Sequence, residues 1–160
     1  ATLHDKLADL GGRLMVEALV QAQSGSLHPV KQPLAGVTYA HKIDKSEAAI
    51  DWQDSAEQIV RRVRAFNPFP GASATLRGES LKVWAAEVLP GPTPAGEKFG
   101  KIMAVAPEGI AVLAMNSVVK ITSLQRPGGK RLAVAEFLRG FDLQPGMVFD
   151  PPAAPDSHPA

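Results

Sequence analysis

The feature that most constrains the fold is a series of short apolar segments separated by turn residues, from Ala72 to Gln125. Segments 72–76 and 81–89 flank an Arg77-Gly78 turn, which predicts a β-hairpin. Short strands separated by about 8–12 residues favour a small barrel or sandwich over a parallel sheet. The three further strands that this pattern predicts are 101–106, 109–115 and 118–125.

Helical periodicity appears on both sides of these strands. In 1–23, apolar residues recur every three or four positions, which predicts an amphipathic helix. A second helix is predicted over 55–66, because Ser55 and Gln58 have capping-box spacing, and a short third one over 133–139. The expected fold class is therefore mainly β with flanking helices. A small OB-like β-barrel of five to six strands suits this order of elements.

The composition changes along the chain and predicts its organisation. Residues 24–43 are rich in Gly, Ser, Pro and Gln, and prolines in this stretch block regular structure, so it is predicted to be a linker. The barrel domain is expected to occupy 44–150. The last segment, 151–160, is rich in Pro and Ala and is predicted to be a disordered tail.

The sequence contains no recognisable motif for catalysis or for metal binding. The chain has no cysteine, which excludes disulfides and thiolate sites and fits a reducing cytoplasm. Its four histidines have neither metal-ligand spacing nor a neighbouring nucleophile motif. No apolar run approaches the ~20 residues that span a bilayer. We therefore expect no catalytic residue, no metal site, no cofactor and no membrane contact in this chain.

Basic residues are concentrated near the end of the strand region, although the net charge is only +1. The densest part is 126–131, which has two glycines between a strand and a helix. Such a loop can bring cations and backbone N–H groups to phosphates, and a solvated loop is an equally good interpretation of the composition alone. The candidate RNA-binding residues of this region are Lys120, Arg126, Lys130, Arg131 and Arg139.

Two further basic groups precede the strands. The predicted second helix carries Arg61, Arg62 and Arg64, where like charges repel unless a phosphate or a nearby carboxylate compensates. We expect a structural role for Arg62 and mixed roles for the other two. Lys42 and Lys45 follow the linker, where they could reach a ligand held by two domains. The aromatic residues Trp52, Phe66, Trp84 and Phe137 are expected in the core, so recognition would depend on RNA backbone and shape.

Several short motifs occur in order along the chain, beginning with residues 50–52, Ile-Asp-Trp, and 64–72, Arg-Ala-Phe-Asn-Pro-Phe-Pro-Gly-Ala. These two resemble the signature between helix and barrel in methionyl-tRNA formyltransferases. Residues 38–43 are similar to the interdomain segment, and 124–131 followed by 137–140 are similar to the barrel loop and last helix. The opening residues 2–7 resemble the last helix of the family's Rossmann-like domain. Phe69 stands where tryptophan is common.

The resemblance implies the C-terminal, tRNA-gripping part of such an enzyme. The family transfers formyl from 10-formyltetrahydrofolate to the amino group of methionine on initiator tRNA. Its catalytic Asn, His and Asp belong to the N-terminal domain, so this chain alone is expected to be inactive. The partners it implies are initiator methionyl-tRNA and the enzyme's own catalytic domain, and we expect a cytoplasmic monomer. The alternative is the equivalent domain of a related folate-dependent formyltransferase that acts on a small molecule such as an amino sugar.

Overall fold

The computed structural model describes residues 2–91 and 96–152. The chain divides into two compact units, Ala1–Lys42 and Ile43–Ala160, which are described separately. In the first unit, helix α1 covers Thr2–Gln23, and none of its residues is buried. The predicted disordered tail falls largely on 153–160, which lie outside the described residues, as do 92–95.

The second unit is built on one antiparallel sheet. Its strands follow the order β1-β2-β5-β4-β3, and the short β6 pairs with β5. This confirms a mainly β domain of five to six strands with flanking helices. The strands are β1 (Ala72–Leu76), β2 (Glu79–Leu89), β3 (Ile102–Ala106), β4 (Gly109–Leu113), β5 (Val118–Gln125) and β6 (Leu132–Ala133).

The segment 146–150 connects the two ends of this sheet. Ile102 in β3 donates its backbone N–H to Met147 O at 2.7 Å and accepts from Gly146 N at 2.8 Å. Asp150 N donates to Thr75 O in β1 at 2.8 Å. Both sheet edges therefore have backbone partners in one segment, which gives the domain its barrel-like closure and protects edges that would otherwise be open.

Helix α2 (Ala56–Ala65) covers the sheet beside β2. Its predicted capping box is confirmed, since Ser55 accepts from Gln58 N while the Gln58 side chain accepts from Ser55 N. The buried residues Ala56, Ile59 and Val63 recur every three or four positions and therefore share one face of the helix. Helix α3 (Val134–Phe137) is shorter than the predicted 133–139.

The predicted core aromatics divide into two pairs. Trp52 and Phe137 are buried, and the Trp52 ring stacks on Phe149 with centroids 5.2 Å apart. Trp84 and Phe66 are only half-buried, so the expectation that both lie in the core was wrong. Trp84 alternates with the buried residues of β2 and therefore occupies the outer face of the sheet.

Candidate nucleic-acid interface

The basic loop, residues 126–131 between β5 and β6, is held by a clamp at its first residue. Arg126 donates Nε to Glu79 Oε1 at 2.7 Å and Nη2 to Glu79 Oε2 at 3.2 Å. Its guanidinium also lies 5.1 Å from the ring centroid of Phe141. The hydrogen bonds and charge of Glu79 raise the pKa of Arg126. The positive charge of Arg126 is therefore already compensated within the protein.

The other end of the basic loop rests on Trp84. The Arg131 guanidinium lies 5.4 Å from the centroid of that ring, within cation–π range. Trp84 Nε1 donates to Gln125 Oε1 at 2.8 Å, and Gln125 Nε2 donates to Gly129 O at 2.7 Å. This chain of contacts fixes the loop backbone to the sheet. It leaves Arg131 exposed, with no carboxylate partner among the described residues.

The remaining candidates of this region differ in their surroundings. Lys120 Nζ lies 2.9 Å from Glu87 Oε1, directly across the β2–β5 ladder, so it forms an intramolecular ion pair. Lys130 and Arg139 are exposed and make no ion pair within residues 2–91 and 96–152. The structure thus joins Arg126 and Arg131 to one anchored loop, whereas Lys120 belongs to a cross-strand pair.

On α2, the three arginines have different environments. Arg62 Nη1 donates to Ala49 O at 2.9 Å, and its Nη2 lies 3.2 Å from Asp54 Oδ2. Arg62 therefore ties α2 to the segment before it, which agrees with the structural role expected from the sequence. Arg61 and Arg64 are exposed and form no ion pair within the part of the chain that the structure describes.

The candidate lysines 42 and 45 belong to different units, because Lys42 ends the first unit and Lys45 lies in the second. Lys45 is close to a lysine that the sequence did not single out. Burial lowers the pKa of Lys82, and the charge of Lys45 lowers it further. Lys82 Nζ donates to Pro70 O at 2.8 Å and to Gly71 O at 2.9 Å.

Lys82, Trp84 and Gln125, which lie beside the basic loop, were not among the residues predicted from the sequence, although a signal for them exists. The alternation in β2 places Leu81 and Val83 in the core, so Lys82 and Trp84 face outward. Gln125 is the register partner of Lys82 on β5. Alternation could have indicated the outward face, whereas the pairing with Gln125 depends on the sheet register.

These outward side chains line a shallow groove of about 380 Å³ beside the basic loop. Its lining combines apolar side chains with two cations, Lys82 and Arg126, which we call its cationic rim. We refer to it below as the β2–β5 groove, and its lining residues are Pro70, Ser80, Lys82, Trp84, Gln125, Arg126, Pro127 and Gly128.

The signature 64–72 forms the junction between α2 and β1. Phe66 caps the helix and its carbonyl accepts from Gly71 N at 2.8 Å, while Asn67 Nδ2 donates to Trp84 O at 3.2 Å. Gly71 has φ +78°, and a Cβ there would lie 3.0 Å from the Trp84 ring. Glycine is needed at this position for both reasons. The signature therefore supplies Pro70 to the groove lining and contacts Trp84 through Asn67 and Gly71.

The length of chain that matches a known family model identifies the family of this chain. The family model described as formyl transferase, C-terminal domain, matches residues 42–142, well over half of the 160 residues. The chain belongs to this family. In this formyl transferase C-terminal domain, the matched region includes α2, the junction, the β2–β5 groove and the basic loop.

Curated relatives agree with this family assignment. The methionyl-tRNA formyltransferase of Albidiferax ferrireducens is 65% identical over 149 residues, covering 93% of this chain and 46% of that protein. The methionyl-tRNA formyltransferase of Variovorax paradoxus is 58% identical over 149 residues, with the same coverage of 93% and 46%. The chain thus spans about half the length of the curated relatives that it matches.

A solved structure supports the fold independently. HypX from Aquifex aeolicus in complex with tetrahydrofolic acid matches with a TM-score of 0.60 and 23% sequence identity. The match covers 78% of this chain and 22% of HypX. At this identity, the likeness shows the fold alone.

Two other kinds of site are absent from the described residues. Within 2–91 and 96–152, no group of three or more His, Cys, Asp or Glu side chains is arranged to hold a metal ion. None of the helices in the same residues combines the length and apolar content needed to cross a bilayer.

Proposed function

We propose that this chain is the tRNA-holding part of a methionyl-tRNA formyltransferase. The observation that carries the proposal is the anchored basic loop, in which Arg131 and Lys130 are exposed in a chain 65% identical to an enzyme of that name. Cations that are fixed before binding lose less side-chain freedom when they meet phosphates. The loop is therefore suited to gripping the backbone of a folded RNA.

The proposed contacts have graded roles. Lys130 and Arg131 form the centre of the interface because both are exposed and neither forms an ion pair with a carboxylate in the described structure. Lys120 and Arg126 contribute after exchanging a carboxylate partner for a phosphate, so their net effect is smaller. The outer contacts are Lys42, Lys45, Arg61, Arg64 and Arg139.

The parent enzyme would transfer formyl from 10-formyltetrahydrofolate to the amino group of methionyl-initiator tRNA. We assign no step of that transfer to residues of this chain, which alone is proposed to be inactive. Residues 1–23 are proposed to be the last helix of the Rossmann-like catalytic domain, and 24–43 the linker to the barrel domain 44–150. The partners are then initiator methionyl-tRNA and the catalytic domain, in a cytoplasmic monomer.

The first experiment is a salt titration of initiator-tRNA binding to the full chain and to Lys130→Ala/Arg131→Ala. Since each lost phosphate contact removes about one unit from the slope of log K against log[salt], the double variant should lower that slope by roughly one to two units. The control is Lys6→Ala/Arg13→Ala, which removes the same charge from α1 and should leave the slope unchanged.

The possible outcomes separate the proposals. An equal slope in the Lys130→Ala/Arg131→Ala variant would remove the basic loop from the interface. If the full chain shows no affinity for tRNA at low salt, the tRNA-holding function itself fails. The small-molecule formyltransferase would then be the better assignment.

A further inference from the structure

The lining of the β2–β5 groove combines two kinds of side chain. Its apolar members are the half-buried Trp84 and the prolines Pro70 and Pro127. Its cations are Lys82 and Arg126, of which Arg126 is paired with Glu79. The volume of about 380 Å³ falls in the lower part of the range of small-ligand sites. An aromatic ring in the same lining as an ammonium group matches a ligand that has a flat ring and an anionic group.

The charge at the rim is incompletely compensated. Two of the three N–H groups of Lys82 are donated to the Pro70 and Gly71 carbonyls, so one remains for a ligand. Lys45 is close enough to depress the pKa of Lys82. In the described part of the chain, neither lysine forms an ion pair with a carboxylate. An anion placed here would relieve the repulsion between the two ammonium groups.

Phosphate alone would use only the rim of the groove. Bases inside a duplex are stacked on their neighbours and cannot lay a face on Trp84, whereas an unpaired base can. We propose that the β2–β5 groove binds one unpaired nucleotide of an RNA, with its base against Trp84 and its phosphate beside Lys82. This inference rests on the proposed function and adds a nucleotide-sized subsite to backbone recognition by the loop.

The proposed subsite also gives a role to the junction. Gly71 lies next to two groove residues, since a Cβ there would meet Trp84 at 3.0 Å and Lys82 Cδ at 3.3 Å. The junction carbonyls that hold Lys82 are those of Pro70 and Gly71. The same turn therefore sets the depth of the groove and the position of the ammonium group.

The test compares binding of the chain to two RNA hairpins with the same stem, in which a non-nucleotide linker replaces the loop, so that one has no unpaired nucleotide and the other has four at its 3′ end. Stacking of one base should make the second bind about tenfold more tightly. It should also quench Trp84 fluorescence. The other tryptophan, Trp52, is only 3% exposed and should be little affected.

A variant that fills the groove completes the test without altering the basic loop. Ser80 is an exposed groove residue of β2, where phenylalanine suits a strand. Ser80→Phe should bring the affinities for the two hairpins within about twofold of each other. The matched control Ala104→Phe places the same ring at an exposed position of β3 outside the groove lining and should keep the preference. Thermal unfolding should show that both variants are folded.

The outcomes are distinct for the two proposals. If the native chain binds both hairpins equally while the steep salt dependence remains, the nucleotide subsite is overturned and the loop interface stands. Persistence of the preference in folded Ser80→Phe would also overturn the subsite. If neither hairpin binds at low salt, both the proposed RNA-binding function and the nucleotide subsite are overturned.

Discussion

The basic loop and α2 each carry a cluster of basic residues in the sequence, and their arginines have different surroundings in the structure. In the loop, Arg126 and Arg131 are each held from the side, one by Glu79 and one by the Trp84 ring. In α2, the Arg62 guanidinium donates a hydrogen bond to Ala49 O, while Arg61 and Arg64 are exposed to solvent. Charge density therefore does not indicate which cations are available to a ligand.

The difference follows from what each segment packs against. The loop lies on the outer face of a sheet, where an indole and a carboxylate provide lateral contacts but leave one side open. An arginine on α2 near the preceding segment finds a backbone carbonyl and a carboxylate that need a donor. A buried carbonyl without a donor is costly, so Arg62 is used within the fold.

The largest expected effect is on the free energy of unfolding, and it distinguishes an arginine bonded within the fold from one exposed to solvent. Arg62→Ala removes the bond to Ala49 O and the ion pair with Asp54, and should lower the free energy of unfolding by about 1–2 kcal/mol. Arg64→Ala should change it by less than about 0.5 kcal/mol. Urea unfolding measures both. A loss for Arg64→Ala as large as that for Arg62→Ala would break the distinction.

A smaller effect, on the affinity for tRNA, is expected when Arg126 loses its carboxylate partner Glu79. Glu79→Gln removes the negative charge that compensates Arg126, while it retains a side chain able to accept a hydrogen bond. Affinity for tRNA should rise about twofold to threefold at low salt, and stability should fall by less than ~1 kcal/mol. Isothermal titration gives the affinity. A lower affinity would show that the ion pair with Glu79 orients Arg126 for tRNA binding instead of competing with the tRNA for Arg126.

The smallest effect concerns pH. Hydrogen bonding from Asn116 lowers the pKa of Glu57 below 4.5, and its own backbone and Arg61 add to the shift. Since the folded pKa is lowered, this contribution to stability is present above the unfolded pKa and is lost as pH falls through the folded value. Asn116→Ala should raise the Glu57 pKa in a carboxyl NMR titration. An unchanged pKa would contradict the role of Asn116 and leave Ser55 and Arg61 as the side chains that lower the Glu57 pKa.

Local patterns predicted much of the fold. The bounds of β1 and β5 agree with the prediction, because turn residues and alternation are encoded within a few positions. The start of α2 agrees because a capping box needs only Ser55 and Gln58. Helix α3 is shorter than predicted and ends at Phe137, before Arg139. Half-burial of Trp84 was missed, since an aromatic residue in an apolar segment resembles a core residue unless strand phase is followed.

The sequence by itself determined the strand order along the chain, the capped helix and the motifs that carry the family. Only the tertiary structure decided which cations are compensated and where a groove forms. Glu79 and Arg126 are 47 positions apart, and Trp84 and Gln125 are 41 apart. Such contacts depend on the register between β2 and β5, and a one-residue slip would turn each side chain to the opposite face. Register is set by the packing of the whole sheet, so no local pattern contains it.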